Sequence, residues 1–214
     1  MPSYKLLLVP DNAERDAPWP VRQWAEGLAQ LQAGVTRIEF DPIDREAQAV
    51  HDRYVPSTWP SPGMSAIVSL WAAAPPGAPP AAHRMLVIEV ADRVGYGFEG
   101  DGPGPVRGYK KFSMWGATPD VPRETWDPLY AHHIVTVPQQ QPIWRYRQNI
   151  IVGKPQELPY DAISENWWAT VEDLSGRFYF SEASRREVQA ETVQFVDYKV
   201  HTAFIARNEV LFIA

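Results

Sequence analysis

Chemistry in this chain has to come from histidine, arginine, tyrosine and carboxylates, because the 214 residues contain five histidines and no cysteine. The histidine best placed to work is His133. On a helix over 122–137, advancing about 100° per residue, Trp126, Leu129, Tyr130 and Val137 form one apolar stripe and His133 falls within it. An imidazole on that stripe faces whatever the helix covers, where it is either a proton carrier near neutral pH or a core histidine bonded to a backbone carbonyl. His132 lies about a third of a turn away, at the rim or the surface.

The strand predicted over 143–152 alternates two sets of side chains. Ile143, Arg145, Arg147, Asn149 and Ile151 share one face, and Trp144, Tyr146, Gln148, Ile150 and Val152 share the other. Arginine and asparagine beneath a covering helix are costly unless something satisfies them. A substrate carboxylate or phenolate held by Arg145 or Arg147, with a further bond from Asn149, is one solution. Solvent, or ion pairs across a sheet interface, is the other. Tyr109, Trp115, Trp167, Trp168 and Tyr198 offer an aromatic wall or ordinary core packing. His201 is a second candidate proton carrier. His51, Asp52, Arg53, Tyr54 and Trp59 cluster on a long excursion over 41–63, which forms either a lid or a plug.

Several classes of function fall away. A net charge of −6 and a pI near 5.4 do not suit nucleic acid, which needs a basic stripe. Without cysteine there are no disulfides, thiolate zinc ligands or thiol nucleophiles. Adjacent His132 and His133 point to different sides of a helix, unlike a metal-binding i, i+4 pair, so no metal site is expected. The glycines of 97–107 match neither phosphate-binding fingerprint. The apolar run Leu6 to Val9 is too short for a signal segment or a membrane span, which leaves a cytoplasmic protein as the default.

The elements that must position these residues come in two rounds. The first has strands over 4–9, 35–40, 64–71 and 85–90, a helix over 18–32, and only an Ala/Pro segment, 72–82, between its last two strands. After a linker over 97–107 the second round has strands over 109–115, 143–152, 161–168, 198–205 and 209–213. Its helices are predicted over 122–137 and, with a break near 176–180, over 171–193. The segments Ser65–Ala72 and Asp161–Ala169 are locally alike and occupy the same place in each round. The fold class expected is α+β: tandem β-α-β-β-α-β (ferredoxin-like) units with antiparallel sheets, divided as 1–96 and 108–214.

The second round carries Tyr109-Lys110-Lys111-Phe112, Tyr130-Ala131-His132-His133, Tyr146-Arg147-Gln148-Asn149, Tyr160-Asp161-Ala162-Ile163 and Phe195-Val196-Asp197, in that order. In this it resembles the EthD family of dimeric α/β-barrel proteins, over about residues 107–213. The first round resembles a degenerate copy without the His-His motif.

The resemblance implies a barrel, a pocket between sheet and helices, and a small aromatic or polyketide-like substrate. It also implies a homodimer, or an internal duplication that takes a dimer's place. The leading expectation is a cofactor-independent lyase or isomerase with His133 as general acid/base, Arg145 and Asn149 on an anionic oxygen, and Tyr109 or Trp115 against the ring. Tyr130, His132, Trp167, His201, Tyr54 and His51 join as substrate-binding candidates. A non-catalytic ligand-binding protein and a cofactor-free oxygenase of aromatics are the alternatives, and a haem held by His133 is a lesser one.

Overall fold

The computed structural model describes residues 2–11, 18–58 and 63–214. In chain order its elements are β1 (Ser3–Pro10), α1 (Pro18–Leu31), β2 (Arg37–Pro42), α2 (Arg45–Asp52), β3 (Ala66–Trp71) and β4 (His83–Tyr96). There follow β5 (Gly104–Ala117), α3 (Arg123–Gln140), β6 (Ile143–Gly153), β7 (Ala162–Trp168), α4 (Glu182–Thr192) and β8 (Val196–Ile213). All strand pairings are antiparallel, and the eight strands close into one barrel in the order β1-β3-β2-β8-β5-β7-β6-β4. The first four strands thus form the arc β4-β1-β3-β2 and the last four the arc β8-β5-β7-β6. The arcs join edge to edge through β2 with β8 and β4 with β6, so one chain completes the barrel by itself and leaves no strand edge unpaired at either junction.

Period-two alternation separates the inside of the barrel from the outside. Leu7, Ile67, Ile88, Phe112, Met114, Ile163 and Phe204 point inward as an apolar layer. Neighbouring inward positions carry charge: Lys5, Glu39, Asp41, Lys110, Arg147 and Glu165 are all at most 2% exposed. They satisfy one another, with Lys110 Nζ at 3.0, 3.1 and 2.8 Å from Glu39, Asp41 and Glu165. Outside, α1 covers the first arc by laying Val21, Ala25 and Leu28 on Leu6, Leu8, Val68 and Leu70. The second arc is covered by α3 and α4, with Trp126 and Tyr130 packed on Trp115, Ile150, Ala162 and Phe195.

Four departures from the sequence expectations matter for the site. Residues 41–63 contain a helix, α2, capped by Asp44, whose carboxylate accepts a bond from the Ala47 amide at 3.0 Å. It buries only Ala47 and His51, too little for a visible apolar stripe. The segment after β7 is mostly turns, and only 182–192 is helical. The two strands expected over 198–205 and 209–213 are one 18-residue strand, β8, which serves β5 along most of its length and β2 at its end. Finally, β5 begins at Gly104, so the linker shortens to residues 97–103. As the sequence suggests, no helix fills 72–82.

Among the described residues, no helix is long and apolar enough to cross a membrane.

Candidate functional site

The outer face of the second arc is covered incompletely, and a cavity of about 260 Å³ remains between it and the helices. Its floor is the outward alternation of β5 and β7: Lys111, Ser113 and Trp115 on one, Ser164 and Asn166 on the other, in register as Lys111 with Asn166 and Ser113 with Ser164. The walls are His133 of α3, Val188 and Thr192 of α4, then Phe195, Tyr198 and His201. The last wall comes from the first half of the chain. Past α2, Val55, Pro56 and Thr58 reach across to the cavity, pinned where the Thr58 amide and hydroxyl donate to His201 O (2.9 Å) and Tyr198 O (2.8 Å). A larger cleft of about 650 Å³, reaching to Tyr54, Ser181 and Arg185, shares Val55, Phe178, Tyr179 and Tyr198 with the cavity, so these four residues stand between them.

His133 faces the cavity with its ring fixed from behind. Its Nδ1 lies 3.0 Å from Glu191 Oε2, and the Thr136 hydroxyl donates to both Glu191 oxygens at 2.8 Å. Burial pushes the Glu191 carboxyl up, but the bonds from His133 and Thr136 outweigh it and hold the group below its ordinary value. An ionised Glu191 sets the tautomer with the proton on Nδ1, leaving Nε2 as the basic nitrogen. Phe195 and Tyr146 meet the imidazole ring with centroids at 5.8 and 6.1 Å.

Beneath it the floor is a fixed polar network. Ser164 Oγ accepts from Trp115 Nε1 at 3.3 Å and contacts the Tyr130 and Tyr146 hydroxyls at 2.9 and 3.4 Å. Burial holds the Tyr146 phenol at about 12 and the Tyr130 phenol well above its ordinary value, so both stay protonated donors. Burial, with Lys111 adding to it, takes His201 down to about 4; in His51 burial leads again, followed by Lys111 and His201, to about 2. Lys111 is also lowered by burial, to about 7.

The structure sorts the sequence candidates. His133, Trp115 and His201 line the cavity, Tyr130 lies under its floor, and Tyr54 stands at the outer cleft. His51 is wholly buried behind the wall, while His132 is exposed on the far side of α3. Arg145, Asn149 and Trp167 are not in the site. The faces of β6 (Arg145, Asn149) and β7 (Trp167) that carry them point into the barrel, and the opposite face of β6, with Tyr146, Gln148 and Ile150, is the one that α3 covers.

The barrel itself satisfies these inward groups. Arg145 donates to Gly97 O at 2.7 Å and pairs with Asp101, Asn149 donates to Glu165 at 2.9 Å, and Trp167 donates to Asn208 at 3.1 Å. Arg147 meets Glu39 and Glu165, the ion-pair solution rather than the substrate one. Tyr109 shares the outward alternation of Lys111 but lies beyond the cavity, under the Arg207 guanidinium at 3.9 Å. Trp59 is outside the described residues.

Lys111, Asn166, Ser164 and Glu191 were not anticipated. Parity was the available signal for Lys111, since it shares a face with Trp115 four positions on. Nothing local marks Glu191, which meets His133 only because α3 and α4 pack together.

No protein-family model and no curated protein sequence matches the chain. Solved structures do. An anthrone oxidase-like protein superposes with a TM-score of 0.57 at 11% identity, over 98% of this chain and 93% of its own. The chain has its fold. Two proteins described as "putative monooxygenase" follow. The one from Lactobacillus acidophilus has a TM-score of 0.52 at 9% identity, covering 100% of this chain and 95% of its own. The one from Fusobacterium nucleatum has a TM-score of 0.52 at 9% identity, covering 99% and 93%. The lyase or isomerase expectation is corrected by this set, whose names all speak of oxygen chemistry.

Proposed function

We propose that this protein is an oxygenase of small aromatic, polyketide-like compounds, acting in the cavity between the second arc and helices α3 and α4. The observation that carries the reading is the His133–Glu191 pair, a base with an oriented tautomer at the wall of an aromatic cavity. The shared fold with an anthrone oxidase-like protein and two monooxygenase-named proteins supports it by analogy.

The chemistry asked of the chain is proton removal. A methylene group flanked by aromatic rings and conjugated to a carbonyl, or a phenol of comparable electron richness, loses a proton to His133 Nε2. The resulting carbanion or enolate passes one electron to dioxygen, and the radical pair combines to a hydroperoxide. Loss of water then leaves a carbonyl. The balance is CH2 + O2 → C=O + H2O for the methylene, and phenol + O2 → quinone + H2O for a phenol that loses its O–H and one ring C–H hydrogen, with dioxygen as the oxidant and His133 returning its proton to the departing water. Glu191 stabilises the imidazolium while it exists, and Trp115, Phe178 and Phe195 hold the ring system.

The two arcs, β4-β1-β3-β2 and β8-β5-β7-β6, support reading the chain as two ferredoxin-like copies, 1–96 and 108–214. On that reading the first copy has turned its outer face over to α1 packing and supplies the site only through the segment after α2. The EthD resemblance of the second copy fits the same picture.

Oxygen uptake with an anthrone or a dihydroxynaphthalene tests the proposal. We expect consumption of one dioxygen per quinone formed, well above autoxidation, and its loss in His133→Ala. Uptake equal to the protein-free blank would sink the reading.

A further inference from the structure

One charge on the cavity floor lacks an opposite. Lys111 is 5% exposed, and among the described residues its ammonium has no hydrogen-bond or ion-pair partner; it lies 4.5 Å from the centre of the Phe178 ring and close enough to His51 and His201 to disfavour their charged forms. Among the described residues, no Asp or Glu lines the cavity. Directly across on β7 stands Asn166, 8% exposed, and its side-chain amide also has no hydrogen-bond partner among the described residues. Residues in register on one face of an antiparallel pair have Cβ atoms about 5 Å apart, close enough to grip one atom between them. The buried cations inside the barrel, by contrast, all meet carboxylates: Lys5 pairs with Glu165, Lys110 with Glu39, Asp41 and Glu165, and Arg147 with Glu39 and Glu165. A buried cation and a buried amide left open side by side on the floor of a cavity are therefore oriented toward something that enters it.

We propose that Lys111 and Asn166 form an oxyanion subsite, which takes the phenolate or enolate oxygen of the aromatic ligand. This deepens the oxygenase reading and rests on it for the ligand class. Such a subsite selects hydroxylated or keto-enol aromatics over plain ones, because only these present an anionic oxygen to the ammonium. It also explains how a carbanion is tolerated in a cavity walled by Trp115, Phe178 and Phe195. The negative charge delocalises onto the oxygen at Lys111, while His133, on the wall, takes the proton.

The test uses a ligand already at the quinone level, so that binding is read without turnover. The full-length protein is titrated with 2-hydroxyanthraquinone and with unsubstituted anthraquinone at about pH 6, where the free hydroxyl compound is neutral. We expect the hydroxyl compound to bind about tenfold more tightly and to show the red-shifted phenolate band when bound. In Lys111→Met both the preference and the red shift should vanish, and Asn166→Leu should weaken both without abolishing them. Lys111→Arg should restore part of the shift. Circular dichroism of each variant separates loss of the subsite from loss of the fold. A phenolate band that persists in a folded Lys111→Met, or equal affinity for the two compounds in the wild type, overturns the proposal. A protein that gives the band but takes up no oxygen would keep the subsite and reject the oxygenase reading.

Discussion

Lys110 and Lys111 follow one another on β5 and leave it in opposite directions, the first into three carboxylates and the second into a cavity with none. Their removal should therefore have opposite effects on stability. Lys110→Met leaves Glu39, Asp41 and Glu165 short of a cation deep in the barrel and should cost about 3–5 kcal/mol. Lys111→Met removes a buried charge that no described residue pairs, and should stabilise the fold by on the order of 1 kcal/mol. Urea unfolding of both variants decides it; destabilisation by Lys111→Met would mean that its ammonium is satisfied in solution.

Acid should weaken the fold through His51 and His201, whose charged forms burial disfavours. A folded-state value near 4 for His201, against about 6.5 in the unfolded chain, means that the unfolded state binds more protons between those limits. Stability is then lost as pH falls from about 6.5 toward 4, and His201 contributes a slope of about 1.4 kcal/mol per pH unit. His51 acts in the same direction, over a window reaching down to about 2. Asp41, raised to about 7 chiefly by burial, acts in the opposite one. The clean reading is a difference: stability against pH for His201→Gln should be shallower than for the wild type by that one-proton slope. Parallel curves would show that His201 is solvated.

Glu191→Gln should leave binding nearly intact and slow turnover. The amide still fills the space, but it stabilises no imidazolium and does not enforce the proton on His133 Nδ1. We expect kcat to fall by roughly 10- to 1000-fold with KM changed little. A raised KM with kcat unchanged would assign Glu191 to packing.

Gly108→Ala should be far more damaging than its surface position suggests. At φ +80° a side chain is strained, and an added Cβ would meet the Trp168 carbonyl oxygen at 2.0 Å, backbone that cannot step aside. The position lies where the register of β5 with β8 shifts, between Val106 and Lys110, just ahead of Lys111. A loss of several kcal/mol is expected in urea unfolding, with weakened ligand binding. Near-wild-type stability would show that the bend relaxes freely.

Local patterning was enough for much of this protein. Apolar alternation and the helical stripe Trp126–Tyr130–His133–Val137 placed most of the strands and turned His133 inward, since one side of each such element has to be hidden from water. Glycine and proline marked the main connections. What lies in contact across the chain was not legible. Which face of β6 is under α3 depends on the closing of the barrel, for in a strand buried on both faces the alternation of Arg145, Arg147 and Asn149 with Tyr146, Gln148 and Ile150 has no outside to point to. Glu191 reaches His133 across 58 positions, and Val55 to Thr58 wall a cavity built from the other half. Those pairings are set by helix packing and sheet closure. The residue types therefore established that a proton carrier and aromatic walls were available, and only the tertiary structure decided that Lys111, not Arg145, stands uncompensated beside them, because charge balance is a property of neighbours in space.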